Sequence, residues 1–357
     1  MTEDELEKIY RPSATLIIAA KTNNNLEEGY NYQFLLAKRA AAIAFAPDHY
    51  VFPGGAFDAK ADDNIEWLQY FEAFGISKED LQKLSLQHLP NRPKPLMTNG
   101  RNLCRDISLR ITAIREAFEE VGLLLCLNRD DLRSKHKIHS SFKHNFDRSY
   151  WQDKVHNNAL EFLNLCKYMD VVPDLWSLQE WSMWRSPPAA RKKYDTAIYI
   201  VTLENQPQLL LEPTEVEKEL WATPTASLKL YKDRTIWLAP LQFYEISRLS
   251  NVLNWSKLQA FVKERNSKGS TLIMLAYFRC TDYLVGTLPG DDCYPENHLD
   301  HKETVQLSCT DKEFKAKTKN IHRITYYDMY ELAVTCNIKP IDGHLSPVLN
   351  ILDNSKL

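Results

Sequence analysis

Hydrophobic spacing divides the chain into short blocks. Residues 14–20 form an apolar run rich in β-branched side chains and predict a strand. Residues 21–30, with three consecutive asparagines, predict a loop. Residues 31–39, where Tyr32, Phe34 and Leu36 alternate with Gln33 and Leu35, predict a partner strand and so a hairpin. Residues 40–47 are small and apolar, and Pro47-Asp48 marks a turn. The period changes over 65–87, where Trp67, Leu68, Phe71 and Phe74 recur at helical spacing, and Pro90, Pro93, Pro95 and Gly100 then predict loop. Further on, Ile111, Ile114, Phe118 and Val121 fall in one stripe at about 100° per residue, and Gly122 stands where a helix ends.

Residues 123–127 read as a buried strand and 152–169 as a helix. Residues 175–184 hold Trp176, Trp181 and Trp184, which points to core. Residues 194–203 predict an apolar strand, and 212–221 an acidic strand ending at Trp221. Helices follow at 240–249, with Pro at the start, and at 254–265. From 272 the pattern is short strands and loops without a chemical motif.

Composition narrows the class. The chain has 357 residues, 44% hydrophobic and 25% charged, an ordinary soluble globular profile with room for one elaborated domain or two smaller ones. A net charge of −3 implies no global pull toward nucleic acid or an anionic membrane. No apolar run approaches the roughly 18 residues that span a bilayer. The first seven residues are acidic and lack the basic start of a secretory signal. Seven scattered cysteines without close pairs argue against a disulfide framework or a zinc site. Ser355-Lys356-Leu357 reads as a peroxisomal address, so an import receptor is an expected partner and the peroxisome the expected location.

Chemistry concentrates in two places. Opposite the apolar stripe lie Glu116, Glu119 and Glu120, at i, i+3 and i+4, which group three carboxylates on one helix face. Taken alone, such a group is as readily a solvated face. Upstream, Val51-Phe52-Pro53-Gly54-Gly55 reads as a tight loop whose backbone can approach a ligand or ion closely. Lys38 and Arg39 are candidates for phosphate contacts, Arg as a fork of donors and Lys as a point charge, with a solvated strand end as the alternative. The basic stretch 128–148, with His136, His139 and His144, reads as surface loop without ligand spacing.

Gly55 together with Arg115-Glu116-Ala117-Phe118-Glu119-Glu120-Val121-Gly122-Leu123 resembles the Nudix box, G-x5-E-x7-R-E-U-x-E-E-x-G-U. The second half matches throughout. The first half departs twice. Ala61 stands where the motif has Glu, with Asp58, Asp62 and Asp63 nearby, and Arg115 follows Gly55 by 60 residues because of an insertion at about 59–104. An insertion inside the motif is similar to that of the mammalian peroxisomal Nudix enzymes that hydrolyse coenzyme A. Trp181-Ser182-Met183-Trp184 and the run from Ile236 to Glu245 look like that branch too. Its upstream signature, L-L-T-x-R-S/A-x3-R-x3-G-x3-F-P-G-G, is met by Leu35, Leu36, Arg39, Ala40 and Phe52-Pro53-Gly54-Gly55, with Ala44 and Asp48 replacing its second Arg and its Gly.

The resemblance implies an α/β/α sandwich around a mixed sheet with helical insertions. The Nudix domain would span 10–250, with a helical segment at about 128–185 and a C-terminal extension over 251–357. It implies Mg²⁺ or Mn²⁺ held by Glu116 and Glu120, with Glu119 next and the Gly54 or Gly55 carbonyl as a further candidate. Arg115 would orient the carboxylates, and Lys38, Arg39, Gly54 and Gly55 would meet substrate. The reaction implied is cleavage of coenzyme A and acyl-coenzyme A into 3′,5′-ADP and (acyl-)4′-phosphopantetheine. NADH or ADP-ribose as substrate, or a silent nucleotide-binding fold, are the alternatives. Glu215 and Glu217 are both candidates for the base that activates water.

Overall fold

The computed structural model describes residues 9–24, 26–42, 48–86, 89, 92–133, 142–143, 145–297, 301, 303–340 and 342–347. Ser355-Lys356-Leu357, the stretch 135–139, His144 and residues 43–47 lie outside them.

The first hairpin forms as expected, from β1 (Arg11–Lys21) and β2 (Tyr32–Arg39). The short strands β3 (Tyr50–Val51) and β4 (Gly54–Ala56) then add to β2 and β1 respectively. The Gly-Gly segment is therefore hydrogen-bonded sheet rather than the free loop that its composition suggests. After the acidic helix Arg105–Val121 come β5 (Leu124–Leu127), β6 (Phe142–Lys143) and β7 (Val172–Pro173), a small sheet of their own. Strands β8 (Gln179–Arg185), β9 (Tyr194–Leu203), β10 (Val216–Ala222) and β11 (Leu272–Ile273) complete the main sheet in the order β10-β2-β1-β9-β8-β11. The β1–β9 and β8–β11 pairs are parallel and the others antiparallel, so the sheet is mixed.

Strand alternation divides the core. Leu16, Ile18 and Ala20 face the acidic helix, while Ile17 and Ala19 face helices Pro224–Lys232, Pro240–Leu249 and Trp255–Arg265 on the other side. This is the expected α/β/α sandwich. Helix Trp255–Arg265 and β11 belong to that sandwich although they follow residue 250. A second, five-stranded sheet then forms from β12 (Ala276–Arg279), β13 (Leu284–Thr287), β14 (Val305–Gln306), β15 (His322–Tyr326) and β16 (Leu332–Cys336).

Two expected long helices are each broken. The 65–87 stretch becomes Ile65–Ala73 and Lys78–Leu84, parted at Gly75 (φ +80°), with Ser77 and Asp80 forming a capping box on the second. The 152–169 stretch becomes Arg148–Asn157 and Glu161–Met169, parted at Asn158, whose side chain accepts the Leu160 N–H instead of leaving the backbone to continue.

The insertion leaves the fold and returns to the same point. The Asp63 carboxylate accepts the backbone N–H groups of Arg101 (2.6 Å), Asn102 (3.1 Å) and Leu103 (2.7 Å), which closes the segment at its base. Trp67, Phe71, Leu81 and Leu96 bury into the core beside the acidic helix. Arg92 anchors the far end through Glu180 on β8 (2.5 Å) and Asp106 (3.3 Å), all out of solvent.

On the opposite face the fully buried Glu245 joins a helix to the sheet. It accepts from Trp181 Nε1 (2.8 Å), Ser182 Oγ (2.7 Å) and Trp184 Nε1 (2.6 Å). A register shift between Glu180 and Ser182 turns adjacent donors to one side. Glu245→Ala would strand these donors and the nearby Arg248, so we expect a loss of roughly 3–5 kcal/mol in urea unfolding. A loss within about 1 kcal/mol would show that the cluster is dispensable.

Candidate active site

The acidic helix is more deeply enclosed than an amphipathic stripe implies. Arg115, Glu119 and Glu120 are buried along with the apolar stripe, and Glu116 is nearly so. The solvated-face alternative is thereby excluded. Gly122 at φ +67° ends the helix as expected.

What covers the polar side first is β4. It lies antiparallel to β1, with Thr15 opposite Gly54 and Ala14 opposite Gly55. The Thr15 hydroxyl donates to the carbonyls of Phe52 (3.0 Å) and Pro53 (2.8 Å), which fixes the approach to the glycines. Neither glycine has room for a side chain. A Cβ on Gly55 would stand 2.3 Å from Glu116 Oε2, and one on Gly54, whose φ is +153°, would stand 2.3 Å from the Ala14 carbonyl. The Gly54 N–H donates to Glu120 Oε2 at 2.9 Å.

Arg115 lies among the carboxylates and bonds to three of them. Its Nη1 donates to Glu116 Oε1 (2.8 Å) and Glu119 Oε1 (2.6 Å). Its Nε and Nη2 grip both oxygens of Asp62 at 2.8 Å, and Nη2 also reaches the Ala56 carbonyl (3.2 Å). Asp62 is wholly buried and also accepts from Thr112 Oγ1 (2.8 Å) and the Asp58 N–H (2.9 Å). The carboxylate absent at Ala61 is thus supplied one residue later. Sequence reasoning placed Asp62 nearby but gave it no role; its signal was position alone.

Lys38 and Arg39, adjacent in sequence, point to opposite faces of β2. Arg39 Nη1 lies 3.6 Å from Glu120 Oε1, inside the site. Lys38 is not brought there; its Nζ is held by Glu217 (2.8 Å) and Asp48 (3.2 Å). Lys38, expected as a phosphate contact, lies on the other face of β2, and Glu217, expected beside Glu215 as a candidate base, pairs with it there, parted from Glu215 by the register shift between Val216 and Lys218. Asp48 stands at φ +61°, in the left-handed region that glycine favours. That accounts for the glycine of the upstream signature, which an aspartate replaces here at tolerable strain.

Glu215 is brought to the site. Its carbonyl accepts the Ala40 N–H (2.9 Å), and the segment before it is tied to the helix end by Glu212 N–H donating to the Glu120 carbonyl (3.0 Å). Its charge acts on Glu116, Glu119 and Glu120 alike, and His156 Nδ1 lies 3.6 Å from its Oε1.

Burial pushes all three helix carboxyls above their ordinary range. Glu119 rises to about 8 through burial and then the charge of Glu116; Glu120 is also pushed well above its ordinary range, by burial and then the charge of Glu116. Five carboxylates, Asp62, Glu116, Glu119, Glu120 and Glu215, face two guanidinium groups, Arg39 and Arg115. Such a donor set fits a hard divalent cation. Among the described residues no three acidic, imidazole or thiolate side chains enclose one point as a complete metal shell does. A partial shell is compatible with an ion that keeps several waters and takes oxygens from substrate phosphate. A cavity of about 620 Å³ lies between the annex built by the insertion and Arg129, Leu132 and Trp176, and one of about 240 Å³ between the annex and the start of the acidic helix; neither is lined by the carboxylates.

The family model described as NUDT19 Nudix domain matches residues 10–249, and the one described as NUDT19 C-terminal domain matches residues 277–337. The chain is 32% identical to the acyl-coenzyme A diphosphatase NUDT19 of Xenopus laevis, over 98% of each chain. It is 29% identical to the human protein of that name, over 91% of this chain and 89% of that one. Among solved structures, a NUDIX hydrolase from Alicyclobacillus acidocaldarius superposes with a TM-score of 0.51 at 17% identity. That match covers 70% of this chain and 96% of the other, a likeness of fold.

Raised carboxyls give the cation-free protein a pH signature. Folded Glu119 holds a proton that the unfolded chain has lost between 4.5 and about 8, so stability falls as pH rises through that window. Melting temperature in EDTA should therefore drop from pH 5 to 8, and a divalent cation should restore it most at the upper end. A cation that leaves the melting temperature unmoved at pH 8 would contradict the metal reading.

Proposed function

The chain belongs to the Nudix hydrolases, in their NUDT19 group, and on that premise we propose that it hydrolyses the diphosphate linkage of coenzyme A and acyl-coenzyme A. The products are 3′,5′-ADP and 4′-phosphopantetheine or its acyl form. What carries the reading is near-full-length similarity to acyl-coenzyme A diphosphatases combined with an intact buried acidic site.

A divalent cation, Mg²⁺ or Mn²⁺ by preference for oxygen donors, would be held by Glu116 and Glu120 with Glu119 beside them, and would neutralise phosphate oxygens and acidify water. The chain's own residues do the rest. Arg115 keeps Glu116 and Glu119 in place while Asp62 holds Arg115. Arg39 brings positive charge to where the diphosphate lies. Glu215, beside His156, takes the proton of the attacking water. The water oxygen bonds to one phosphorus, the bridging P–O bond breaks, and the bridging oxygen leaves with the other phosphate. Ser355-Lys356-Leu357 supports a peroxisomal location for this activity. A fluorescent protein extended by the last ten residues should enter peroxisomes and should remain cytosolic without Leu357.

The chemistry is tested by incubating the protein with Mg²⁺ and coenzyme A, an acyl-coenzyme A, NADH or ADP-ribose, with products identified by mass spectrometry. Glu116→Gln and Glu120→Gln should lose most activity without a lower melting temperature, since each removes a buried negative charge. Glu215→Gln should lower kcat roughly 100-fold or more. No cleavage, or undiminished cleavage by Glu120→Gln, would sink the enzyme reading, and preference for NADH would sink coenzyme A.

A further inference from the structure

Beside Arg39 the chain builds an aromatic pair that the reaction as described does not use. In the β2–β3 register Lys38 faces Tyr50, and the next position is a bulge. The Asp48 N–H donates to the Arg39 carbonyl (3.1 Å), and the Arg39 N–H donates to the His49 carbonyl (2.9 Å). His49 therefore stands across from Arg39 on the same side of the sheet, with Cβ atoms about 5 Å apart by the geometry of such pairs. Beyond the edge, the Tyr50 N–H donates to the Trp237 carbonyl (3.1 Å). That bond sets the Trp237 ring on the His49 ring, with centroids 3.8 Å apart and planes inclined by 31°.

The pair is chemically unfinished. His49 Nδ1 and Trp237 Nε1 are both out of solvent, and neither has a hydrogen-bond partner among the described residues. A buried indole N–H without an acceptor costs about 1–3 kcal/mol, so two neighbouring orphans are unusual in a settled core. Both residues remain only partly buried, so the rings are reachable from outside. Burial and the Arg39 charge also hold His49 below its ordinary range, which keeps the imidazole neutral. One strip thus runs from Glu120 through Arg39 to His49 and Trp237.

We propose that the His49–Trp237 pair is the subsite that receives the purine of the substrate's nucleotide half, with the diphosphate lying over Arg39. The proposal rests on the coenzyme A reading above. Of the two halves of that substrate, only the adenosine offers a planar π face and ring nitrogens that can accept from Trp237 Nε1. The pantetheine arm carries two amides but is flexible and has no aromatic ring, so it has far less to gain from a stacking platform than a purine. Base stacking of this kind tolerates other adenine nucleotides equally, so discrimination would come from the groups around it.

Binding of the separate halves tests this without turnover. 3′,5′-ADP, 5′-AMP and 4′-phosphopantetheine are titrated calorimetrically into the wild-type chain and into Trp237→Leu, Trp237→Phe and His49→Ala. Trp237→Leu should weaken both nucleotides about tenfold or more and change phosphopantetheine affinity by less than about twofold. Trp237→Phe, which keeps a ring and loses the N–H, should fall between. KM for coenzyme A should rise in each variant with kcat held. Should Trp237→Leu fail to fold, Trp237→Phe and His49→Ala carry the measurement. Unchanged nucleotide affinity in folded variants, or equal weakening of both halves, would overturn the assignment. Failure of the substrate reading shows separately, as wild-type protein that binds 5′-AMP but does not cleave coenzyme A.

Discussion

The acidic site depends on one buried guanidinium. Arg115 has carboxylates on two sides: Asp62 takes its Nε and Nη2 as a fork, and Glu116 and Glu119 share its Nη1. Without that charge the helix would carry three mutually repelling acids into a nearly dry environment, where burial already lifts each of them toward protonation. With it, two of the acids are oriented and the third, Glu120, is left to the Gly54 N–H and Arg39. The arrangement remains short of positive charge, a deficit that a hard divalent cation would meet.

Holding Asp62 in place explains how a motif survives division. The insertion between Gly55 and Arg115 does not lengthen the distance between its two halves, because Asp63 clamps the backbone of 101–103 next to residue 62. The inserted helices then bury their own apolar side against the acidic helix, and Arg92 locks the end through Glu180 and Asp106. A break in sequence is thus absorbed as a packed annex. On the far face Glu245 does comparable work, binding β8 to a helix through two indoles and a hydroxyl.

The strip from Glu120 to Trp237 shows how backbone geometry sorts residues of similar chemistry. Lys38 and Arg39 are adjacent cations, yet the pleat sends one to Glu217 and Asp48 and the other to the site. The bulge at Asp48 then sets His49 level with Arg39 and within reach of a tryptophan nearly two hundred residues further along the chain. The same edge of the sheet thus sets Arg39 beside Glu120 at one end and His49 against Trp237 at the other.

Much of this was legible in the residues. The 3.6-residue stripe, Gly122 and the spacing of Glu116, Glu119 and Glu120 place an acidic helix because local periodicity and capping are sequence properties. The two glycines before it were equally plain, since close approach admits little else. Strand alternation in 31–39 was readable too, though not which face would hold the site. What sequence could not supply were pairings between distant segments: Asp62 for the absent acid at Ala61, Glu215 over Glu217, His49 on Trp237, and Asp63 closing the insertion. Each depends on register, bulges or long-range packing, which arise only when the sheet assembles. The chain by itself determined what chemistry was carried on one helix; tertiary structure decided which charges that helix would face, because burial and proximity are properties of the fold and not of any segment.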